Sequence, residues 1–259
     1  MPHLAINNIQ LYYELHGQGE PLLFIHGLGA STRDWEYQVD FFAKHFQVIL
    51  FDLRGHGQSD KPVGPYSISL FASDTAQLIA KLFPQGVDVI GHSLGGMVAF
   101  QLALDFPKLV NKMVIVNSAP AVMFPSLKDQ LKFLLRTVNV KLFGMKPLSI
   151  MLSKKVFPHP EQVRLRTTFI QHWCDNDPDA YLSTLKAFKN WNLMDRLPNL
   201  TSPTLIVTAD QDYTPVAYKH YYAAFIPKAE VVVISNSNHL TIVDQADKFN
   251  AVVLNFLTK

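Results

Sequence analysis

Short apolar runs alternate with helical repeats through the first 120 residues. Pro21 to Ile25, Phe46 to Phe51, Val87 to Ile90 and Lys112 to Val116 are strand-sized, and each is followed by a turn rich in Gly, Ser or Asp. Runs of this kind suit strands buried on both faces of a parallel sheet, beneath crossover helices. The opening MPHLAINNIQLYYELHG alternates like a strand. From Ile68 to Phe83, residues Phe71, Thr75, Leu78, Ile79 and Leu82 fall on one helix face, apolar except for the Thr75 hydroxyl. A further helix starts just after Ser93 and closes at Phe106 and Pro107.

From Ala121 to Arg196 the pattern changes to helices without intervening strands, broken near Gly144, Pro147, Pro158 and Pro178. Strand grammar resumes with Thr204 to Thr208, a turn over Ala209 to Pro215, a helix at Ala217 to Phe225, the strand Ala229 to Ile234, a turn around Asn236 to Asn238 and a last helix through Phe256. Both flanks are needed to complete one sheet. The expected fold class is therefore α/β, a mostly parallel central sheet flanked by helices, with a core from 1–120 and 197–259 and a helical lid at 121–196.

Composition narrows the function classes. The 259 residues are 48% hydrophobic, with 23 Lys plus Arg against 21 Asp plus Glu. A net charge of +2 makes no whole-chain case for nucleic-acid binding or for a self-repelling disordered polymer. The total hides an asymmetry, because residues 121–196 carry twelve basic and six acidic side chains. Cys174 is the single cysteine, so no internal disulfide or multi-cysteine metal site can form, and cytoplasmic residence is the expectation. The N-terminus lacks a basic head and apolar core like those of a signal peptide, and no run reaches the length of a transmembrane helix.

The sharpest local feature is Gly91-His92-Ser93-Leu94-Gly95, between the strand VDVI and the helical GGMVAFQLALDF. Glycines on both sides of the serine permit a very sharp strand-to-helix turn that lifts Ser93 above the sheet edge. The helix N-terminus behind it favours negative charge. A serine needs a base and an acid to act as nucleophile at neutral pH. His239, in SNSNHLT after a late strand, emerges where sites in open parallel sheets form. His92 reads as a packing residue. The acid candidates are Asp210 and Asp212 in TLIVTADQDYTP; Asp212 is favoured because it lies in the loop beyond the strand, and Asp210 has turn-capping as its alternative role. Two backbone donors must meet the oxyanion. Leu94 N–H follows from the elbow, and Leu28 N–H in His26-Gly27-Leu28-Gly29 is the second candidate. No G-K-[ST] follows that glycine loop, which removes the ATPase and GTPase readings.

With FIHGLGAS at 24–31, DLRGHGQS at 52–59, GHSLGG at 91–96, ADQDYTP at 209–215 and SNH at 237–239, almost the whole chain resembles the α/β-hydrolase family. The resemblance is to its lid-bearing branch of small carboxylesterases, enol-lactonases, C-C bond hydrolases and cofactor-free haloperoxidases. It implies Ser93 as nucleophile, Asp212 as acid, His239 as base, and the amides of Leu28 and Leu94 as oxyanion hole. Haloalkane dehalogenases and soluble epoxide hydrolases of this fold carry an aspartate at the elbow, whereas this chain has Ser93.

Around the site, Arg54 reads as turn-stabilising rather than substrate-binding. His26, Trp35, Trp173 and Trp191 are candidate pocket residues, with core packing an equal alternative for Trp35. Phe169 and Phe188 are expected on the pocket side, and Cys174 as buried filler. Residues 121–160 hold Lys128, Lys132, Arg136, Lys141, Lys146, Lys154 and Lys155 against Asp129 alone, interleaved with apolar residues from Phe124 and Leu127 to Met151. Such a segment can cover an apolar acyl pocket, rest on an anionic bilayer or draw in an acidic substrate; a packed lid with a solvated outer face is the favoured reading. Neither H-E-x-x-H nor G-x-G-x-x-G after the first strand is present, so no metal and no dinucleotide cofactor is expected. Hydrolysis of a small or medium carboxylic ester through an acyl-serine intermediate is the first expectation. Lactonase, thioesterase and acyl transferase use the same residues; a C-C hydrolase or a non-enzymatic scaffold stands further off.

Overall fold

The computed structural model describes residues 2–122 and 127–259, with backbone alone for 127–130. Phe124 and the side chains of Leu127, Lys128 and Asp129 lie outside the described residues. Eight strands form one sheet: β1 His3–Ile6, β2 Ile9–His16, β3 Pro21–Ile25, β4 Gln47–Phe51, β5 Val87–His92, β6 Val110–Val116, β7 Thr204–Ala209 and β8 Ala229–Ile234, in the order β1-β2-β4-β3-β5-β6-β7-β8. β2 pairs antiparallel with both β1 and β4, and the remaining pairs are parallel. Because β4 and β5 lie on opposite sides of β3, the strand order reverses there. A crevice is expected at the carboxyl ends of the strands at such a point.

Side-chain alternation builds a core on each face. Leu23 and Ile25 of β3 join Val89, Ile115 and Ile206 on one face, while Leu22 and Phe24 join Val48, Ile90, Val114 and Val207 on the other. Helices α1 (Glu36–Phe42), α2 (Ile68–Leu82) and α3 (Leu94–Asp105) follow in sequence, α2 and α3 covering the first face and α1 the second. Ser67 caps α2 by accepting from Leu70 N–H at 3.0 Å. The Thr75 hydroxyl donates to the Phe71 carbonyl at 2.8 Å, so this buried polar group is satisfied within its own helix. β5 runs two residues beyond its apolar run, since Gly91 and His92 continue the ladder opposite Ile115 and Val116.

Between β6 and β7 lie α4 (Leu127–Phe143), α5 (Met145–Val156), α6 (Val163–Cys174) and α7 (Pro178–Ala187). Gly144, at φ 70°, separates α4 from α5, and Asp177 caps α7 through Ala180 N–H at 2.8 Å, with Pro178 in the first turn. These helices share a core of their own that includes Val140, Leu148, Phe157, Phe169 and Tyr181. It meets the sheet domain at Leu28, Leu240 and Val243. α8 (Val216–Ala223), α9 (Thr241–Asp244) and α10 (Ala246–Leu257) complete the chain, α10 burying Phe249 and Val253 on the same face as α1. No described helix is long and apolar enough to cross a membrane.

Candidate active site

Ser93 sits between β5 and α3 at φ 52°, ψ −112°, a left-handed conformation that a non-glycine residue holds only when its surroundings fix it. Its N–H donates to the Val116 carbonyl at 2.9 Å and its carbonyl accepts from the Ser118 hydroxyl at 2.7 Å. Gly95 must be glycine, because a Cβ there would overlap the Ile25 carbonyl. The turn is thus clamped between β3 and β6, and the hydroxyl stands at the carboxyl edge of the sheet.

That hydroxyl meets the imidazole of His239, whose Nε2 lies 3.0 Å from Ser93 Oγ. On the far side, His239 Nδ1 donates to Asp212 Oδ1 at 2.5 Å. The Asp212 side chain is 1% exposed. Burial pushes its pKa up, but hydrogen bonds and charge from His239 and Lys219 outweigh that and hold it well below the usual carboxylate range. Asp210 has the other role: its carboxylate accepts from Asn236 N–H and Ser237 N–H, both at 3.0 Å, and so shapes the turn that carries His239. Ser93, which lies 146 positions before His239, is therefore joined with His239 and Asp212 in one hydrogen-bonded chain.

Three supporting residues carry the geometry. His92 is buried, with its pKa pushed down to about 4 by desolvation and then by the neighbouring His239, and its neutral ring donates Nε2–H to the His239 carbonyl at 2.9 Å. Asn117, just past β6, was not singled out from the sequence. Its amide donates to the His239 carbonyl and to Thr241 Oγ1, each at 2.9 Å, and its oxygen accepts from Ala209 N–H at 2.8 Å, tying the loops of Asp212 and His239 together. Lys219 was also missed. It is fully buried on α8, and its ammonium contacts Asp212 Oδ2 at 2.5 Å, the Thr214 carbonyl at 2.8 Å and the Thr214 hydroxyl. Burial pulls its pKa down while Asp212 holds it up. A positive φ of 45° at Asn117 has no simple sequence signal, and a lysine inside VAYKHYY reads as solvated until α8 is placed.

The loop after β3 passes directly over the serine. A Cβ on Gly27 would lie 3.5 Å from Ser93 Cβ and 3.1 Å from His92 Nδ1. His26 braces this loop: Nδ1–H donates to the Gly27 carbonyl at 2.8 Å, Nε2 accepts from Leu53 N–H at 3.0 Å, and burial lowers its pKa to about 4. Leu28 follows, beside Ser93 on the wall of a cavity of about 200 Å³. Leu94 opens α3, where a first-turn N–H has no helical acceptor.

The cavity wall includes His26, Trp35, Phe169, Trp173 and Phe188, and from α4 and α5 it receives Arg136, Leu152 and Val156. Trp35 is both wall and core, 1% exposed and edge-on to Phe24 at 5.0 Å. Trp191 corrects the expectation. Its indole N–H donates to Gln101 Oε1 at 2.9 Å and its ring packs on the core around α3, which turns it away from this cavity. Arg54 grips Asp74 through two buried hydrogen bonds of 2.5 and 2.7 Å, fixing the loop after β4 to α2. Cys174 is half-buried against the Ser149 hydroxyl at 3.5 Å. A second, more open cavity shares Ser93, Phe188, Tyr213 and His239, then continues past Met97 and Tyr218. Among the described residues no group of three or more His, Cys, Asp or Glu is placed to hold a metal ion.

A family model described as alpha/beta hydrolase fold matches residues 20–142. The fold also matches the crystal structure of the enol-lactonase from Burkholderia xenovorans LB400, with a TM-score of 0.92, 25% identity and 100% coverage of both chains. The chain has the α/β-hydrolase fold. Two relatives from Acinetobacter baylyi are similar over nearly their full lengths. 3-Oxoadipate enol-lactonase 2 is 26% identical over 96% of this chain and 94% of its own. (E)-2-((N-methylformamido)methylene)succinate hydrolase is 25% identical over 94% of this chain and 92% of its own. Within this fold, a hydroxyl aligned with an imidazole and a buried carboxylate is an arrangement that can transfer an acyl group.

Proposed function

We propose that this α/β-hydrolase is a serine hydrolase that cleaves small or medium carboxylic esters through an acyl-Ser93 intermediate. The observation that carries the reading is the continuous chain from Ser93 Oγ to His239 Nε2 at 3.0 Å and from His239 Nδ1 to Asp212 at 2.5 Å. Ser93 Oγ attacks the ester carbonyl as His239 takes its proton. Asp212 keeps Nδ1 protonated, so that Nε2 is the basic nitrogen, and stabilises the imidazolium that forms. The oxyanion is received by the N–H groups of Leu28 and Leu94. His239 then returns the proton to the departing alcohol, and in the second half it activates the water that releases the acid.

The helical segment 121–196 acts as a lid in this reading, supported by the Arg136, Leu152, Val156, Phe169 and Trp173 side chains on the same cavity wall as Ser93. A volume of about 200 Å³ favours a small acyl group over a long one. A lactone is the second substrate form, favoured by the two enol-lactonases among the similar proteins and needing no change in the residues above. The lone cysteine fits a cytoplasmic site of action. The test is turnover of a panel of short and medium esters, simple lactones and matched amides by wild type and Ser93→Ala. Ester or lactone turnover that disappears in a folded Ser93→Ala supports the reading, and wild-type turnover by that variant refutes it.

A further inference from the structure

Arg136 reaches from α4 onto the wall of the cavity that holds Ser93 and His239. Its Nε is buried without a hydrogen-bond partner, and no described carboxylate forms an ion pair with it. Four of the other five arginines differ, and the fifth, Arg164, is exposed. Arg33 pairs with Asp175, Arg54 with Asp74 and Arg196 with Asp105, while Arg166 donates to the carbonyls of Phe157, His159 and Pro160. Arg136 instead lies over the ring of Tyr181, 5.3 Å from its centroid, and the buried Tyr181 hydroxyl also lacks a partner. A partly buried guanidinium whose Nε–H has no acceptor is costly unless an anion completes it.

The surroundings have the same bias. Lys155 sits 4.1 Å over the ring of Tyr213, which stacks on His239 at 4.2 Å, so a second cation borders the mouth. Burial lowers the Lys155 pKa, and the charges of Lys132 and Arg136 lower it further, as expected where cations crowd one space. On the acidic side the cavity wall has Asp34, but its carboxylate accepts from Ser31 N–H at 2.7 Å and faces His172 at 3.6 Å. Most of the remaining wall is apolar, through Leu28, Leu152, Val156, Phe169, Trp173 and Phe188. In such surroundings a charged hydrogen bond is strong, and the planar fork of arginine matches a carboxylate through two parallel donors.

We propose that Arg136 anchors a free carboxylate on the substrate, remote from the bond that Ser93 attacks, so that the preferred substrates are small esters or lactones of dicarboxylic acids. This rests on the serine-hydrolase reading and adds the class of substrate. Small size follows from the cavity. Binding the carboxylate at Arg136 sets the distance between the anionic end and the reacting carbonyl, which makes chain length a specificity filter.

The test compares monomethyl half-esters of succinate, glutarate and adipate with methyl esters of neutral acids of the same length, using wild type, Arg136→Lys and Arg136→Gln. Wild type is expected to prefer one half-ester length in kcat/KM by about tenfold or more, chiefly through KM. In Arg136→Gln the ratio of half-ester to neutral-ester kcat/KM should fall at least about thirtyfold, the scale of a lost charged hydrogen bond, with Arg136→Lys between. Calorimetric binding of free glutarate and adipate to Ser93→Ala, with and without Arg136→Gln, reads the anchor independently of turnover. Dicarboxylate binding that requires Arg136 supports the proposal even if no ester is hydrolysed, in which case the serine-hydrolase reading alone fails. Turnover of neutral esters at Ser93 with no preference for half-esters, an unchanged ratio in Arg136→Gln, or no Arg136-dependent dicarboxylate binding overturns the anchor and leaves the serine-hydrolase reading standing.

Discussion

Replacing Lys219 by methionine removes a buried cation from Asp212 while keeping a side chain of similar length. In the wild type the carboxylate lies between two nitrogens, Lys219 Nζ at 2.5 Å from Oδ2 and His239 Nδ1 at 2.5 Å from Oδ1. Its negative charge is thus already balanced before His239 takes a proton. Without Lys219, the imidazolium faces an unbalanced carboxylate. Across a separation on the order of 6 Å, with an effective dielectric constant of about 20, the lost repulsion from Lys219 amounts to about 3 kcal/mol. Relative to wild type, the protonated form of His239 is favoured by up to that amount, equivalent to about two pH units. The assay is kcat/KM for one small ester from pH 5 to 9, with thermal melting of both proteins at each pH. The acid limb of the Lys219→Met profile should move to higher pH by at least about one unit, while activity at the alkaline end recovers toward wild type. Some destabilisation is also expected, because Asp212 loses a partner in a buried setting. An acid limb that stays in place while the melting temperature falls would show that Lys219 packs α8 without tuning the relay, and the electrostatic reasoning would be wrong.

Asp212→Asn should cut kcat by orders of magnitude because it abolishes the bond that fixes the tautomer of His239, whereas Asp210→Asn should mainly lower thermal stability by weakening two backbone bonds in the turn; the reverse pattern in a paired kinetic and melting measurement would transfer the acid role. Asn117→Ala strips Ala209 N–H and the His239 carbonyl of their amide partner, so a loss of about 1–3 kcal/mol in chemical denaturation and a lower kcat with little change in KM are expected. Acid stability follows from His26, His56 and His92, whose burial lowers their pKa values from 6.5 to about 4, 3 and 4. The unfolded chain takes up protons first as pH falls below its histidine value, so stability is complete above about pH 6.5 and declines toward pH 4, by up to about 3 kcal/mol for His26 alone. A denaturation midpoint that is flat from pH 7 to 4.5 would contradict that assignment.

Two strands that carry the site were legible by their composition: Pro21–Ile25 is an apolar run buried on both faces, and the edge strand Ala229–Ile234 is marked by its β-branched run of Val231, Val232, Val233 and Ile234. Ser93 was legible because glycines surround it, and Asp212 and His239 because each follows a strand whose carboxyl end must reach the same edge. What could not be read depended on packing between distant elements. Trp191 and Trp173 are both aromatic residues in the helical segment, yet only the placement of Gln101 sends the first to α3 while the second lines the cavity. Lys219 follows from no periodicity, since a lysine is buried only when a charge partner from another element meets it. Arg136 appeared in the sequence as one of several bases on a helical segment. Its difference from them lies in the missing acceptor at Nε and in the cavity it faces.

Covalent capture of the acyl group on Ser93 tests the central claim most directly. A slowly deacylating ester, such as an activated aryl ester of a small acid, is mixed with the enzyme and quenched in acid within milliseconds to seconds. Intact mass and peptide mapping then follow. The account predicts a stoichiometric mass increase equal to the acyl group, located on the peptide containing Ser93, formed at the rate of the burst in released alcohol and absent from Ser93→Ala. Steady turnover with no acyl adduct at any quench time, or an adduct on another residue while Ser93→Ala retains its burst, would contradict it.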